Sequence, residues 1–245
     1  MSEEIVMKVE QLSKAYNGKT VLKNLNFSVK QGSVLGLLGA NGAGKSTSIE
    51  CILGTRKMET GKAEILGMNP KKDRKRLFQK VGVQFQEANY QREIRADELC
   101  EETASIYRAP ADYRELLAQF DIAGKEKRMV KDLSGGERQR LFIILALIAK
   151  PEIVFLDELT TGLDVHARRE VWKTLKKLKE NGMTMILTSH FMDEVEALCD
   201  EILILKKGET VFTGTVEQAI ESSPFEKFED AYLWYAEEEE KDEYI

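Results

Sequence analysis

Three short stretches bring together residue types able to bind phosphate, hold a divalent metal and polarise water. The first is Gly39-Ala40-Asn41-Gly42-Ala43-Gly44-Lys45-Ser46-Thr47, a GxxxxGK[ST] loop between the apolar run 34–38 and a helix predicted over 46–53. Gly39, Gly42 and Gly44 allow a tight turn whose N–H groups point inward, with no Cβ in the way of a phosphate. The helix start adds partial positive charge. Lys45 can then reach the β- and γ-phosphates, and the Ser46 hydroxyl can ligate Mg²⁺. Strand, loop, Lys-Ser and helix agree on a nucleoside triphosphate site.

The second stretch is Asp157-Glu158, closing the apolar run 153–156. An acid at the C-terminal end of a buried strand lies on the edge where α/β sheets bind ligands. Asp157 suits Mg²⁺, held through a water. Glu158 is placed to act as general base toward an attacking water. Adjacent strand residues point opposite ways, so the strand must end or turn here if both are to serve one site.

The third is Leu133-Ser134-Gly135-Gly136-Glu137-Arg138-Gln139-Arg140, with Ser134 23 residues ahead of Asp157 and at the start of a helix predicted over 136–149. Ser-Gly-Gly at a helix start is another anion-accepting terminus, with free N–H groups and a small hydroxyl. One γ-phosphate does not need two such termini. The second loop is therefore expected to serve a nucleotide held by another copy of the chain or by a related subunit. The Asn-Lys-x-Asp element by which small GTPases read their base is missing.

The elements that must position these residues can be read from apolar periodicity. Runs of strand length fall at 5–9, 20–29, 34–38, 63–66, 81–85, 153–156, 183–188, 201–205 and 210–213, several of them continuously apolar, as in strands buried on both faces. A helix with Val171, Leu175 and Leu178 on one face is predicted over 165–180 and ends at Asn181-Gly182. Strands alternating with helices indicate an α/β sheet. Residues 89–149 break the rhythm, reading as helices at 97–107, 112–120 and 136–149, an inserted helical subdomain. Phe225, Phe228, Tyr232, Leu233 and Tyr235 precede Glu237–Glu240 and read as a terminal helix with a solvated acidic tail.

Composition narrows the class. The chain has 245 residues and a formal net charge of −6. Residues 226–245 carry nine acids and two bases, so residues 1–225 are near neutral, and no bulk positive charge points to nucleic acid. Cys51, Cys100 and Cys199 are scattered, which argues against a disulfide framework and fits a reducing compartment. The N-terminal residues lack the basic and apolar stretches of a secretion signal. The longest apolar run, 141–149, is nine residues, against roughly 20 for a spanning helix. A cytoplasmic protein is expected. The basic run 71–76 could meet anionic headgroups, but a solvated helix face is the expectation.

The three motifs together resemble the ATP-binding cassette (ABC) ATPases, the nucleotide-binding domains of ABC transporters, over roughly residues 5–215, with Leu133–Arg140 similar to the family signature. The resemblance implies a P-loop NTPase (RecA-like) α/β core, a small antiparallel β subdomain and an inserted α-helical subdomain. In one ABC domain, 1–88 and 150–215 would be the catalytic core, 89–149 the helical subdomain and 216–245 the C-terminal helix and tail. It implies ATP and Mg²⁺ as cofactors. It also places Tyr16 as the aromatic stacking on adenine, and Gln86, rather than Gln84 inside the strand, as the glutamine touching Mg²⁺ or water. Asp164 of Thr161-Gly162-Leu163-Asp164 falls at a dimer seam, and His190 on the γ-phosphate; His166 has no motif context. Ser134, Gly135 and Gly136 would complete the site of a second ABC subunit.

Two positions depart from the family pattern: Leu159 stands where Pro is usual, and Glu137 where Gln is commoner. The implied partner is an integral membrane permease, which would hold the chain on the cytoplasmic face of the membrane and dock around Glu87–Tyr90 and the helical insert. Tyr90, Leu99, Ile106 and Tyr107 are candidate patch residues, the last three expected to serve the core. The form of 65–86 and the chain length resemble the exporter branch for drugs, antibiotics, peptides or lipids. The alternative is a non-transport ABC ATPase driving a soluble or membrane-anchored partner.

Overall fold

The computed structural model describes residues 4–84, 90–91 and 93–236. In chain order they form β1 (Ile5–Tyr16), β2 (Lys19–Lys30), β3 (Val34–Leu38), α1 (Lys45–Ile52), β4 (Thr60–Ile65), α2 (Arg74–Leu77), β5 (Val81–Gln84), α3 (Ala96–Ser105) and α4 (Tyr113–Gln119). There follow α5 (Gly135–Leu147), β6 (Ile153–Asp157), α6 (Val165–Glu180), β7 (Thr184–Thr188), α7 (Met192–Leu198), β8 (Glu201–Lys206), β9 (Glu209–Gly214), α8 (Val216–Glu221) and α9 (Phe228–Ala236). Two units carry them: Met1–Lys71 with Thr188–Ile245, and Lys72–Leu187.

In the first unit β1 lies between β2 and β4, antiparallel to both. Met7, Val9 and Leu12 of β1 and Leu22 and Leu25 of β2 are buried, the three-residue steps spanning the shifts in β1–β2 register between Val9 and Leu12 and between Leu12 and Lys14. The β1–β2 turn is Asn17-Gly18 with φ of 48° and 80°, the left-handed pair that matches strand twist. β3 is buried at every position and pairs in parallel with β8, Leu37 opposite Leu203. Its first N–H, from Val34, donates to Asp200 Oδ2 at 2.9 Å. β9 returns antiparallel to β8 through Lys207-Gly208. Leu38, Ile202 and Ile204 pack with Met192 and Val195 of α7, Ala219 of α8 and Phe228 and Tyr232 of α9.

In the second unit β5 and β6 are parallel, with Gln84 opposite Leu156, and β7 lies on the other side of β6. Gly82 is required in β5, because a Cβ there would lie 2.3 Å from Ala146 O of α5. Among the described residues, α3, α4 and α5 fill the stretch between β5 and β6. Asp112 caps α4 by accepting the Arg114 N–H at 2.9 Å. Gly182, at φ 81°, ends α6 by donating to Lys179 O at 2.8 Å.

The nine sequence-predicted strands are all present; β1 runs on past the expected end at Val9 to Tyr16, the other ends shift by at most a few residues, and Phe85 lies outside the described residues. α7 and α8 carry no sequence expectation of their own, and α2 falls within the run 71–76 expected as a solvated helix face. α2, α7 and α8 have four, seven and six residues, too few turns for an apolar stripe to repeat. Among the described residues the terminal segment holds two helices rather than one, and Phe225 precedes α9 with 41% of its surface exposed. Ile106 corrects the expected core role: it is 66% exposed, while Leu99 and Tyr107 are half-buried. The basic run sits largely on α2, exposed apart from a half-buried Asp73, with Leu77 below it as the anchor. Among the described residues no helix is long and apolar enough to cross a membrane.

Phe228→Ala removes the most deeply buried aromatic side chain that α9 contributes to its cluster, and should lower unfolding free energy by about 3–5 kcal/mol. A urea titration showing a loss below about 1 kcal/mol would contradict this packing.

Candidate nucleotide site

The phosphate loop of the first unit leaves the end of β3 and enters α1. Gly39, Gly42 and Gly44 have φ of 148°, 80° and 110°. The backbone at 39 runs so close to β8 that a Cβ would lie 2.5 Å from Leu205 O. At Gly44 a Cβ would meet Leu22 Cδ2 at 2.5 Å. Gly42 has open space around it, so conformation alone requires glycine there. Between these points the Gly208 N–H donates to Ala43 O at 3.1 Å and the Lys23 N–H to Gly208 O at 2.8 Å. The loop is thus fastened to β2 and to the β8–β9 turn.

No side chain caps α1: its N-cap is Gly44, and its first bond runs from Ser48 N–H to Gly44 O at 2.8 Å. The N–H groups of the first turn therefore have no intrahelical acceptor. Ala40, Asn41, Gly42 and Ser46 are exposed and Thr47 half-buried, whereas Lys45 is 6% exposed. The Lys45 ammonium donates to Gly39 O at 2.7 Å and Ala40 O at 3.3 Å, which holds the cation at the loop. A cradle of this shape, with one buried cation and an exposed hydroxyl at the helix start, fits a polyphosphate.

Tyr16 ends β1, half-buried, with Lys14 Nζ 4.8 Å and Arg56 Cζ 5.7 Å from its ring centre. Such cations polarise and orient an aromatic ring. His190 follows β7, exposed, its ring 4.2 Å from that of Phe191. The preceding Ser189 is buried, and its Oγ accepts the Phe191 N–H at 3.0 Å, fixing the turn that carries the histidine.

In the second unit β6 ends at Asp157, 5% exposed. Glu158 adopts φ 48°, a left-handed conformation that is uncommon for a residue with a side chain. The chain reverses there, Thr161 N–H donating to Glu158 O at 3.2 Å, so the side chain of Glu158 is released from the strand's alternation. This turn is the change of direction the sequence required. Leu159 is compatible with it, whereas a proline would push the residue before it toward extended backbone. Leu159 is itself buried.

Ser134 is the N-cap of α5, its Oγ accepting the Glu137 N–H at 3.3 Å while Glu137 Oε2 accepts the Ser134 N–H at 3.0 Å. In this reciprocal capping box Ser134 takes the N–H of Glu137, and the N–H groups of Gly135 and Gly136, in the first turn, have no intrahelical acceptor. A Cβ at Gly136 would lie 2.9 Å from Ala167 Cβ and one at Gly135 3.6 Å from Leu163 Cδ2. The structure therefore brings the signature against the Thr161–Asp164 loop and the start of α6. Asp164 caps α6, its Oδ1 accepting the Ala167 N–H at 2.8 Å, and His166 is on the helix surface. The Lys125 ammonium pairs with Glu137, and that pairing, ahead of the Ser134 N–H, holds the Glu137 carboxyl below its usual range. Lys125 has no motif around it, and only the fold reveals it.

Gln86 lies outside the described residues; Gln84 is buried within β5. Ser46 and Asp157 are oxygen donors of the hard type Mg²⁺ prefers. Among the described residues no three acids, histidines or cysteines cluster as a metal cage.

The ABC transporter family pattern matches residues 22–161. The linearmycin resistance ATP-binding protein LnrL of Bacillus subtilis (strain 168) is 37% identical over 215 residues, covering 86% of this chain and 69% of that protein. The Nod factor export ATP-binding protein I of Rhizobium johnstonii has the same identity and coverage. The daunorubicin resistance ATP-binding protein DrrA3 of Streptomyces coeruleorubidus is 33% identical over 86% of this chain and 68% of that protein. The solved dimeric post-hydrolysis state of the cassette MJ0796, bound to ADP and Pi, is similar with a TM-score of 0.76 and 26% identity, over 85% of this chain and 98% of that one. The structure of cbiO1 from Clostridium perfringens, part of the transporter complex cbiONQ, has a TM-score of 0.77 and 26% identity over 90% and 92%. The chain belongs to the ABC transporter family, as an ATP-binding, ATP-hydrolysing subunit with a P-loop NTPase fold.

Proposed function

We propose that two copies of this chain close around ATP and that its hydrolysis drives an exporter through a separate membrane permease at the cytoplasmic face. The observation that carries this is the pair of anion-ready helix starts on different helices, α1 without a side-chain cap and α5 with Gly135-Gly136 exposed or half-buried. The export and resistance roles in the names of the relatives favour transport over a non-transport ATPase.

In this reading Lys45 and the N–H groups of residues 39–47 neutralise and orient the β- and γ-phosphates. Tyr16 stacks on the adenine. Glu158 accepts a proton from the attacking water, and His190 and Gln86 address the γ-phosphate and the water. Ser134, Gly135 and Gly136 of a second copy donate to the γ-phosphate: with Ser134 Oγ accepting from Glu137, its own proton is available outward. Asp164 lies at the seam between copies. Ser46, Asp157 and Gln86 would hold Mg²⁺, which when bound would supply charge neutralisation to the triphosphate. Closure on ATP and release after hydrolysis form a two-state element that a permease can be coupled to.

Residues 89–149 are read as the helical subdomain that meets the permease, with exposed Ile106 and half-buried Tyr90, its ring 5.8 Å from that of Phe142, as apolar contacts. The headgroup role of the basic run stays secondary to a solvated helix.

Lys45→Ala should weaken ATP binding by about two orders of magnitude; near-normal affinity in a fluorescent-nucleotide titration would overturn the phosphate-loop assignment. Glu158→Gln should slow hydrolysis by about 100-fold or more while retaining ATP and migrating as a dimer on gel filtration. A monomer that still turns over ATP would remove Glu158 from the role of base.

A further inference from the structure

Glu137 poses an electrostatic problem. It sits three residues into the loop that, in the reading above, meets a second copy's triphosphate, and a carboxylate there repels that ligand. Its position favours the helix, since a negative side chain in the first turn of α5 complements the helix dipole and completes the capping box. The acid thus helps to build the signature and opposes what the signature binds.

The structure supplies a counter-charge from outside the motif. Lys125 lies 12 residues upstream, in a turn where its N–H donates to Ile122 O at 3.3 Å and its carbonyl accepts the Arg128 N–H at 3.0 Å. That turn is fastened to the start of α3: Ala96 N–H donates to Arg128 O and Asp97 N–H to Glu126 O, each at 2.9 Å. Lys127 adds an ion pair to buried Asp97 at 2.5 Å. The Lys125 ammonium is therefore delivered to Glu137 Oε1 from an anchored segment. Lys125 keeps 34% of its side-chain surface exposed and Glu137 only 15%, so the pair is partly shielded from solvent screening. Arg128 contributes further positive potential at Glu137, and Arg138 and Arg140 follow on α5 itself.

We propose that Lys125 is a positioning residue for ATP hydrolysis: its ammonium neutralises Glu137, so that a carboxylate can brace Ser134 without repelling the triphosphate of the facing copy. The pair would then do the work that an uncharged glutamine does without a partner. The two departures from neutrality, Lys125 and Glu137, belong together, and removing the cation alone should be worse than removing both charges.

The test is ATPase kinetics on the full chain with ATP varied. Lys125→Met should raise KM for ATP by about ten-fold with kcat at saturating ATP little changed. Lys125→Arg should keep the wild-type KM. In the Glu137→Gln background, adding Lys125→Met should leave KM where Glu137→Gln alone puts it. An unchanged KM in Lys125→Met overturns the proposal. So does an equal rise in both backgrounds, or a lower melting temperature with a KM rise that Glu137→Gln does not relieve, since either marks a merely structural lysine. Because the inference rests on the signature facing a second copy's nucleotide, Ser134→Arg is measured alongside. If it abolishes ATPase while Lys125→Met is silent, Lys125 alone loses its role; if it leaves ATPase intact, the facing-copy reading falls and this proposal with it.

Discussion

A helix start that binds phosphate must keep its own first N–H groups uncapped while the chain around it is held still. That constraint governs the first unit. α1 opens on Gly44 with no capping side chain, and an isolated loop of that kind would turn its N–H groups to water. Here neighbours fix it instead: Leu205 O beneath Gly39, Leu22 against Gly44, and the Gly208 N–H on Ala43 O. Each contact depends on a different strand, so β2, β8 and the β8–β9 turn must be in register before the loop has its shape. The buried run of β3 and the α7–α9 cluster behind it act mainly by holding that register.

The second unit solves a related problem by other means. α5 is capped, but by a box whose two members, Ser134 and Glu137, satisfy each other and leave Gly135 exposed and Gly136 half-buried. The start of α6 packs against those glycines, and Asp164 caps that helix in turn. The Thr161–Asp164 loop thus lies beside the signature through Leu163. Glu158 lies just before this loop, in a left-handed turn that frees its carboxyl from the strand. Strained backbone at that point is consistent with a functional position.

The phosphate loop, the Asp-Glu strand end and the signature were readable from residue type and spacing, because a strand, a glycine-rich loop and a Lys-Ser helix start in that order have few uses other than holding phosphate. The buried strands were readable because continuous apolar runs such as Ile153–Asp157 less its final acid admit little else. α7 and α8 were not, being shorter than the period that would announce them. Ile106 was misjudged since an isoleucine in a helical stretch carries no mark of facing solvent. Lys125 was invisible: its partner is 12 residues away, across a turn whose shape is set by hydrogen bonds to α3. Sequence spacing finds ligand-binding backbone more readily than it finds the charges that tune it.

The central claim is that one catalytic site takes its phosphate loop from one copy and its signature from another. Mixing two inactive chains, Lys45→Ala and Ser134→Arg, tests it directly by ATPase rate. A mixed pair has one site with both defects and one with neither, so the shared-site account predicts that activity returns on mixing and tracks the mixed fraction. If the mixture stays as inactive as its components while dimers of mixed composition form, each copy carries its own complete site and the account is wrong.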